Sequence, residues 1–113
     1  MVYTIVVHLY AKDEPSAVEK IKAKLVEAAS VYRKSEGTID WFVMQDTKDP
    51  RAFTIVERYE SLEHQKKYHL GDPYWPTFDP YVEPLLEKPM DIHRLDELDD
   101  GKVLYSGDGK WIQ

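Results

Sequence analysis

Four histidines, 21 carboxylates and a group of aromatic side chains are the residues of this 113-residue chain able to do chemistry. Histidine suits proton transfer at cellular pH, because its unperturbed pKa of about 6.5 leaves it neutral and basic there. His69 follows Tyr68 in a segment with helical spacing, and His8 stands in an apolar, strand-like segment at the start. His64 lies among charged neighbours and His93 alternates with Asp91 and Arg94, so both read as surface residues. His64 and His69 are five positions apart, which sets them on different sides of a helix, unlike the four-apart pair that grips zinc. There is no cysteine, so disulfides, thiolate nucleophiles, thiolate-bound zinc and iron–sulfur clusters are excluded. Glu57 shares a strand phase with Phe53, Ile55 and Tyr59; it is either a cavity acid with a raised pKa or the partner of a nearby base. Trp41, Tyr59, Tyr74, Trp75 and Phe78 offer a wall of rings for a flat ligand. Aromatics with polar handles serve a small core or a dimer seam equally well. No nucleophile elbow, phosphate loop or dinucleotide fingerprint is present.

The elements that must position these residues follow from length and patterning. A chain of 113 residues, 42% of them hydrophobic, has a core's worth of apolar side chains and room for one domain. Its formal net charge of -6 argues against a phosphate-tracking surface, so neither nucleic acid nor an anionic membrane is an expected partner. The run Ile5-Val6-Val7 is far short of a membrane span and no basic-then-apolar leader precedes it, so a cytoplasmic protein is expected.

Residues 2–10 read as a strand with Tyr3, Ile5, Val7 and Leu9 on one face and Val2, Thr4, Val6, His8 and Tyr10 on the other. Both faces are largely apolar, which predicts cover on both sides. Ser16 with Glu19 fits a capping box, and Asp13 as cap with Pro15 in the first turn fits equally. Val18, Ile21, Leu25, Ala28 and Tyr32 then fall at helical spacing, with Gly37 as the stop. Residues 38–46 and 51–59 form two strands of a hairpin around Thr47-Lys48-Asp49-Pro50. Ser61 caps a shorter helix, and three prolines break residues 74–86 into short helical turns. A fourth strand is expected over 89–95. The order βαββαβ is that of a ferredoxin-like α+β domain over residues 1–96 with a four-stranded antiparallel sheet. Residues 97–113 form an extension, expected as a strand or small hairpin around Ser106-Gly107-Asp108-Gly109. Two helices cover one face of such a sheet, and a second copy of the chain is the economical cover for the other.

Several segments carry a resemblance. The helix ending at Glu36-Gly37-Thr38, the hairpin from Trp41 to Phe53, the run Glu57-Arg58-Tyr59-Glu60-Ser61 and the stretch from His69 through Pro73-Tyr74-Trp75-Pro76-Thr77-Phe78 resemble the antibiotic biosynthesis monooxygenase (ABM) domain family. The resemblance implies a dimeric α/β-barrel, two ferredoxin-like units packed sheet to sheet, each with a cavity between sheet and helices. It also implies oxygenation without a cofactor. An electron-rich phenol or quinol, or a polyketide of that kind, loses a proton and reacts with O2. In the haem-degrading branch the working trio is asparagine, tryptophan and histidine. Here His8 and Tyr59 stand in place of the first two, His69 matches the third, and the chain has no asparagine at all. The resemblance thus gives His69 as proton acceptor, helped by His8 or Tyr59, with Trp41, Glu57, Tyr74, Trp75 and Phe78 against the substrate. No cofactor and no metal are expected. A rival reading from another class is a non-catalytic dimer that binds a small aromatic ligand or answers stress; a cyclase or isomerase on the same scaffold is a third, since it too begins by proton abstraction.

Overall fold

The computed structural model describes residues 1–98 and the backbone of two short strands beyond them. Strand β1 (Tyr3–Tyr10) leads into helix α1 (Pro15–Tyr32), then strands β2 (Thr38–Gln45) and β3 (Ala52–Tyr59). A helical turn α2 (Leu62–His64) runs on as a π-helical turn over Gln65–His69, helix α3 (Trp75–Val82) follows, and β4 (Asp91–Asp96) closes the sheet. The four strands pair antiparallel in the order β2-β3-β1-β4. This is the ferredoxin-like α+β fold that the pattern predicts, with both β1 and β3 inside the sheet. Leu104–Tyr105 pair antiparallel with Trp111–Ile112; residues 99–103, 106–110 and 113 of the expected extension lie outside the described residues.

All the helices pack on one face of the sheet. Tyr3, Ile5, Val7 and Leu9 of β1 and Phe53, Ile55 and Tyr59 of β3 meet Ile21, Leu25, Ala28, Ala29 and Tyr32 of α1 there. The alternation expected for β1 thus holds for its inner face. On the outer face Val6 is half-buried and His8 is exposed. The start of α1 differs from both expected caps. Glu14 is the N-cap residue, makes no side-chain cap bond, and is followed directly by Pro15. The fixed φ of proline begins the helix at that point, before either Ser16 or a first turn built on Asp13 can act.

Two local irregularities set what reaches the site. Between Thr38 and Asp40 the β2–β3 register shifts, so Ile39 is an extra residue. A strand's side chains alternate, so without this bulge Trp41 would point to the outer face; with it, Trp41 turns inward and is 1% exposed. After the Ser61 cap, which accepts the His64 N–H at 3.2 Å, the helix widens. The Leu70 N–H reaches the Gln65 carbonyl at 3.1 Å, a π-type bond, and buries Gln65 and His69 together. Tertiary ties extend beyond the last strand residue. The Glu97 N–H bonds the Val2 carbonyl, and the Glu97 carboxylate takes two N–H bonds from Arg58 at 2.7 and 2.8 Å. Glu97 therefore belongs structurally with the sheet.

Candidate active site

One register row crosses the whole sheet. Trp41 of β2 pairs with Glu57 of β3, Glu57 with Ile5 of β1, and Ile5 with Arg94 of β4. All four face the helices and form the floor of a cavity of about 260 Å³. Val7, Ile55 and Ile92 widen the floor, Trp75, Phe78 and Asp79 form the α3 wall, and Gln65, His69 and Leu70 come from the π-helical segment. A larger depression of about 480 Å³ shares Asp79, Met90 and Ile92 with it and is lined further out by Glu83, Glu87 and Lys88. It contains none of the deeply buried titratable groups, so the smaller cavity is the candidate site.

Those buried groups are Glu57 and His69, 6% and 2% exposed. The Tyr59 hydroxyl donates to Glu57 Oε1 at 2.5 Å, and the Trp41 indole N–H donates to the Tyr59 oxygen at 3.1 Å. His69 Nε2 lies 3.7 Å from the same Glu57 Oε1, too long for a hydrogen bond. His69 Nδ1 is buried with no hydrogen-bond partner among the described residues. The imidazole is held by rings. Its centroid is 4.1 Å from that of Tyr32, 5.1 Å from Trp75 and 5.4 Å from Tyr59.

Burial decides the charges. Removal from water pushes the Glu57 carboxyl up to about 7, partly restrained by the Tyr59 hydrogen bond and the Arg94 charge. The same desolvation pushes the His69 imidazole down to about 4, against a weaker pull from Asp72. Burial, and then the nearby Glu57 charge, push the Tyr59 hydroxyl far above its usual range, so it stays a donor. At neutral pH the site therefore holds a neutral imidazole beside a carboxyl near its midpoint.

The residues expected from the sequence divide into two groups. His69, Trp41, Glu57, Trp75 and Phe78 line the cavity together. Tyr59, fully buried, stands behind Glu57 and reaches the cavity only through it. Tyr74 packs edge-on against Tyr32 with the Lys24 ammonium 4.6 Å from its ring, behind the wall. His8 faces the other side of the sheet, where it bonds Thr54 at 3.1 Å and meets the His93 ring. The sheet lies between His8 and His69, which corrects their expected cooperation within one chain; strand alternation forbids it for a residue in phase with Val6. Arg94, Gln65, Asp79, Met90 and Ile92 are walls that sequence reasoning missed. Arg94 shares a strand phase with apolar Ile92, a signal that gained meaning only once β4 was seen beside β1.

Among the described residues no group of three His, Cys, Asp or Glu side chains could hold a metal ion, and no helix is long and apolar enough to cross a membrane.

The comparisons with known proteins agree with this architecture. The fold is similar to that of Rv0793 from Mycobacterium tuberculosis, with a TM-score of 0.80 and 20% identity over 90% of this chain and 100% of that one. It is similar to PA3566 from Pseudomonas aeruginosa, with a TM-score of 0.75 and 21% identity over 86% and 94%. A candidate antibiotic biosynthesis monooxygenase from Chloroflexus aurantiacus matches with a TM-score of 0.71 and 27% identity over 87% and 94%. A search of curated proteins gave no match. The family model for antibiotic biosynthesis monooxygenase matches residues 4–78, a span that holds the inner strands, α1 and every buried titratable group of the cavity, and the chain belongs to that family.

Proposed function

We propose that the chain takes a proton from a flat, electron-rich phenol or quinol lying on the Trp41–Glu57–Ile5–Arg94 row, and that the resulting anion reacts with O2 without a bound cofactor. The observation that carries this reading is a buried carboxyl–imidazole pair of opposite pKa displacement on the floor of an apolar, ring-lined cavity. Family membership supports it.

The acceptor is Glu57 rather than His69. A base works best with a pKa near ambient pH, and about 7 against about 4 favours the carboxylate. Neutral His69 then offers a ring N–H to the developing oxyanion, and Tyr59 and Trp41 fix the carboxylate from behind. The anion passes an electron to O2, and the two radicals combine at a ring carbon. The hydroperoxide formed loses water, so the phenol O–H, one ring C–H and O2 become the two carbonyls of a quinone and H2O. The proton on Glu57 returns to the peroxide oxygen in that sequence.

The functional unit is proposed as a cytoplasmic homodimer formed through the outer sheet face, where Phe42, Met44 and Leu95 are 40%, 45% and 48% exposed. One observation favours the binding-protein reading: Glu57, Tyr59 and Trp41 satisfy one another, as a purely structural network would. Aerobic incubation with anthrones and quinols, following oxygen uptake and quinone absorbance, separates the two. Turnover above buffer supports the enzyme; tight binding with no turnover across the panel supports the ligand-binding dimer.

A further inference from the structure

Arg94 is the cavity wall to which the proton transfer above assigns nothing. It stands on edge strand β4, opposite Ile5, facing the helices. Its guanidinium donates to the Tyr3 hydroxyl at 3.3 Å and, among the described residues, forms no ion pair with a carboxylate. Glu57 feels its charge but is not bonded to it. A second carboxyl on the cavity besides Glu57, Asp79 of α3, is half-buried, and burial and then the nearby Glu83 charge raise its pKa. A cation with spare donors thus looks into a cavity whose other walls are mostly apolar or aromatic, with Glu57 and Asp79 as its two carboxyls.

The register sets the spacing. Glu57 and Arg94 sit at the same level of the sheet with Ile5 between them, so their backbones are two interstrand spacings apart, about 10 Å. We infer that Arg94 selects the substrate class: a hydroxylated fused-ring arene bearing a carboxylate at its far end, its hydroxyl at Glu57, its rings over Ile5 and its carboxylate on the Arg94 fork. This inference rests on the phenol reading of the cavity. A guanidinium suits the task because it grips a carboxylate through two parallel N–H bonds. A carboxylate there also offsets the Arg94 charge that restrains Glu57, so the ligand strengthens the base that acts on it.

The test compares 2-naphthol with 6-hydroxy-2-naphthoate by titration calorimetry on the full chain and two variants. The wild-type chain is expected to bind the acid at least about tenfold more tightly than the naphthol, although the chain's net charge of -6 disfavours anions in general. In Arg94→Met, which keeps an unbranched apolar stem, the preference for the acid over the naphthol falls to about one; Arg94→Lys keeps part of it. Melting curves check each variant, and the exposed position of Arg94 predicts that they stay folded. Equal affinities in the wild-type chain, or a preference that survives Arg94→Met, overturn the inference while leaving the phenol reading standing. If neither compound binds, both readings fall.

Discussion

Glu57 and His69 are displaced in opposite directions by the same cause, and stability inherits both signs. The Glu57 carboxyl, raised from 4.5 to about 7, holds its proton after the unfolded chain has released it. Its contribution is present below pH 4.5 and is lost as pH rises through 7. The His69 imidazole, lowered from 6.5 to about 4, stays neutral while the unfolded chain protonates. Its contribution is present above pH 6.5 and is lost as pH falls through 4. Between about pH 4.5 and 6.5 the two slopes oppose each other, so the wild-type chain should show little net trend from this pair. Glu57→Gln leaves only the histidine slope, and its denaturant-derived stability should climb by a few kcal/mol from pH 4 to 6.5. A Glu57→Gln profile as flat as the wild type's would mean that the two groups do not titrate as their burial implies. The same variant bears on catalysis. With a working substrate, Glu57→Gln should lose turnover roughly a hundredfold or more and lose the rise in rate through pH 7. Tyr59→Phe, which acts only through Glu57, should shift the midpoint of that rise upward, because one hydrogen bond to the carboxylate is gone.

Small backbone exceptions in the elements aim these side chains. The extra residue Ile39 reverses the phase of β2 and brings Trp41 inward. The π-type bond after α2 buries Gln65 and His69 on the cavity side. Between the two lies a tight contact. Gly37 has φ +79, and a Cβ there would sit 2.7 Å from the His64 side chain. Its carbonyl accepts the Glu60 N–H at 2.8 Å, tying the loop before β2 to the chain after β3. Gly37→Ala meets both an unfavourable backbone region and a clash, so it should cost about 1–3 kcal/mol. The midpoint of chemical denaturation reads this directly. Gly37→Ala combined with His64→Ala should regain part of the loss, because the two ring contacts go while the contact with the residue-64 Cβ and the strained φ remain.

For the whole molecule, the two sheet faces are unequal. The inner face packs into the core, whereas the outer face leaves Phe42, Met44 and Leu95 open to water around half-buried Val6 and Val56. Packing against a second copy would bury roughly 2,000 Å² or more in total. Phe42→Asp should then convert a dimer into a species of 13.3 kDa by light scattering, with the melting temperature falling in parallel. A wild-type chain that already scatters as a compact 13.3 kDa particle at micromolar concentration would overturn the dimer.

Alternation and helical spacing were enough to read the order βαββαβ, the inner face of β1 and the apolar stripe of α1, because those patterns are local consequences of backbone geometry. Residue type together with the family resemblance brought forward His69, Trp41, Glu57, Trp75 and Phe78, all of which line one cavity. His8 went astray because the histidine lies in the phase of Val6, and only the finished sheet shows which phase faces the helices. Trp41 reached the interior through a bulge whose extra residue looks like any other in a strand. Arg94 entered the site through β4 pairing with β1 across most of the chain's length. The charge states were likewise settled by folding. A glutamate near 7 and a histidine near 4 arise from the loss of water around them, and desolvation depends on every element that closes over the pair.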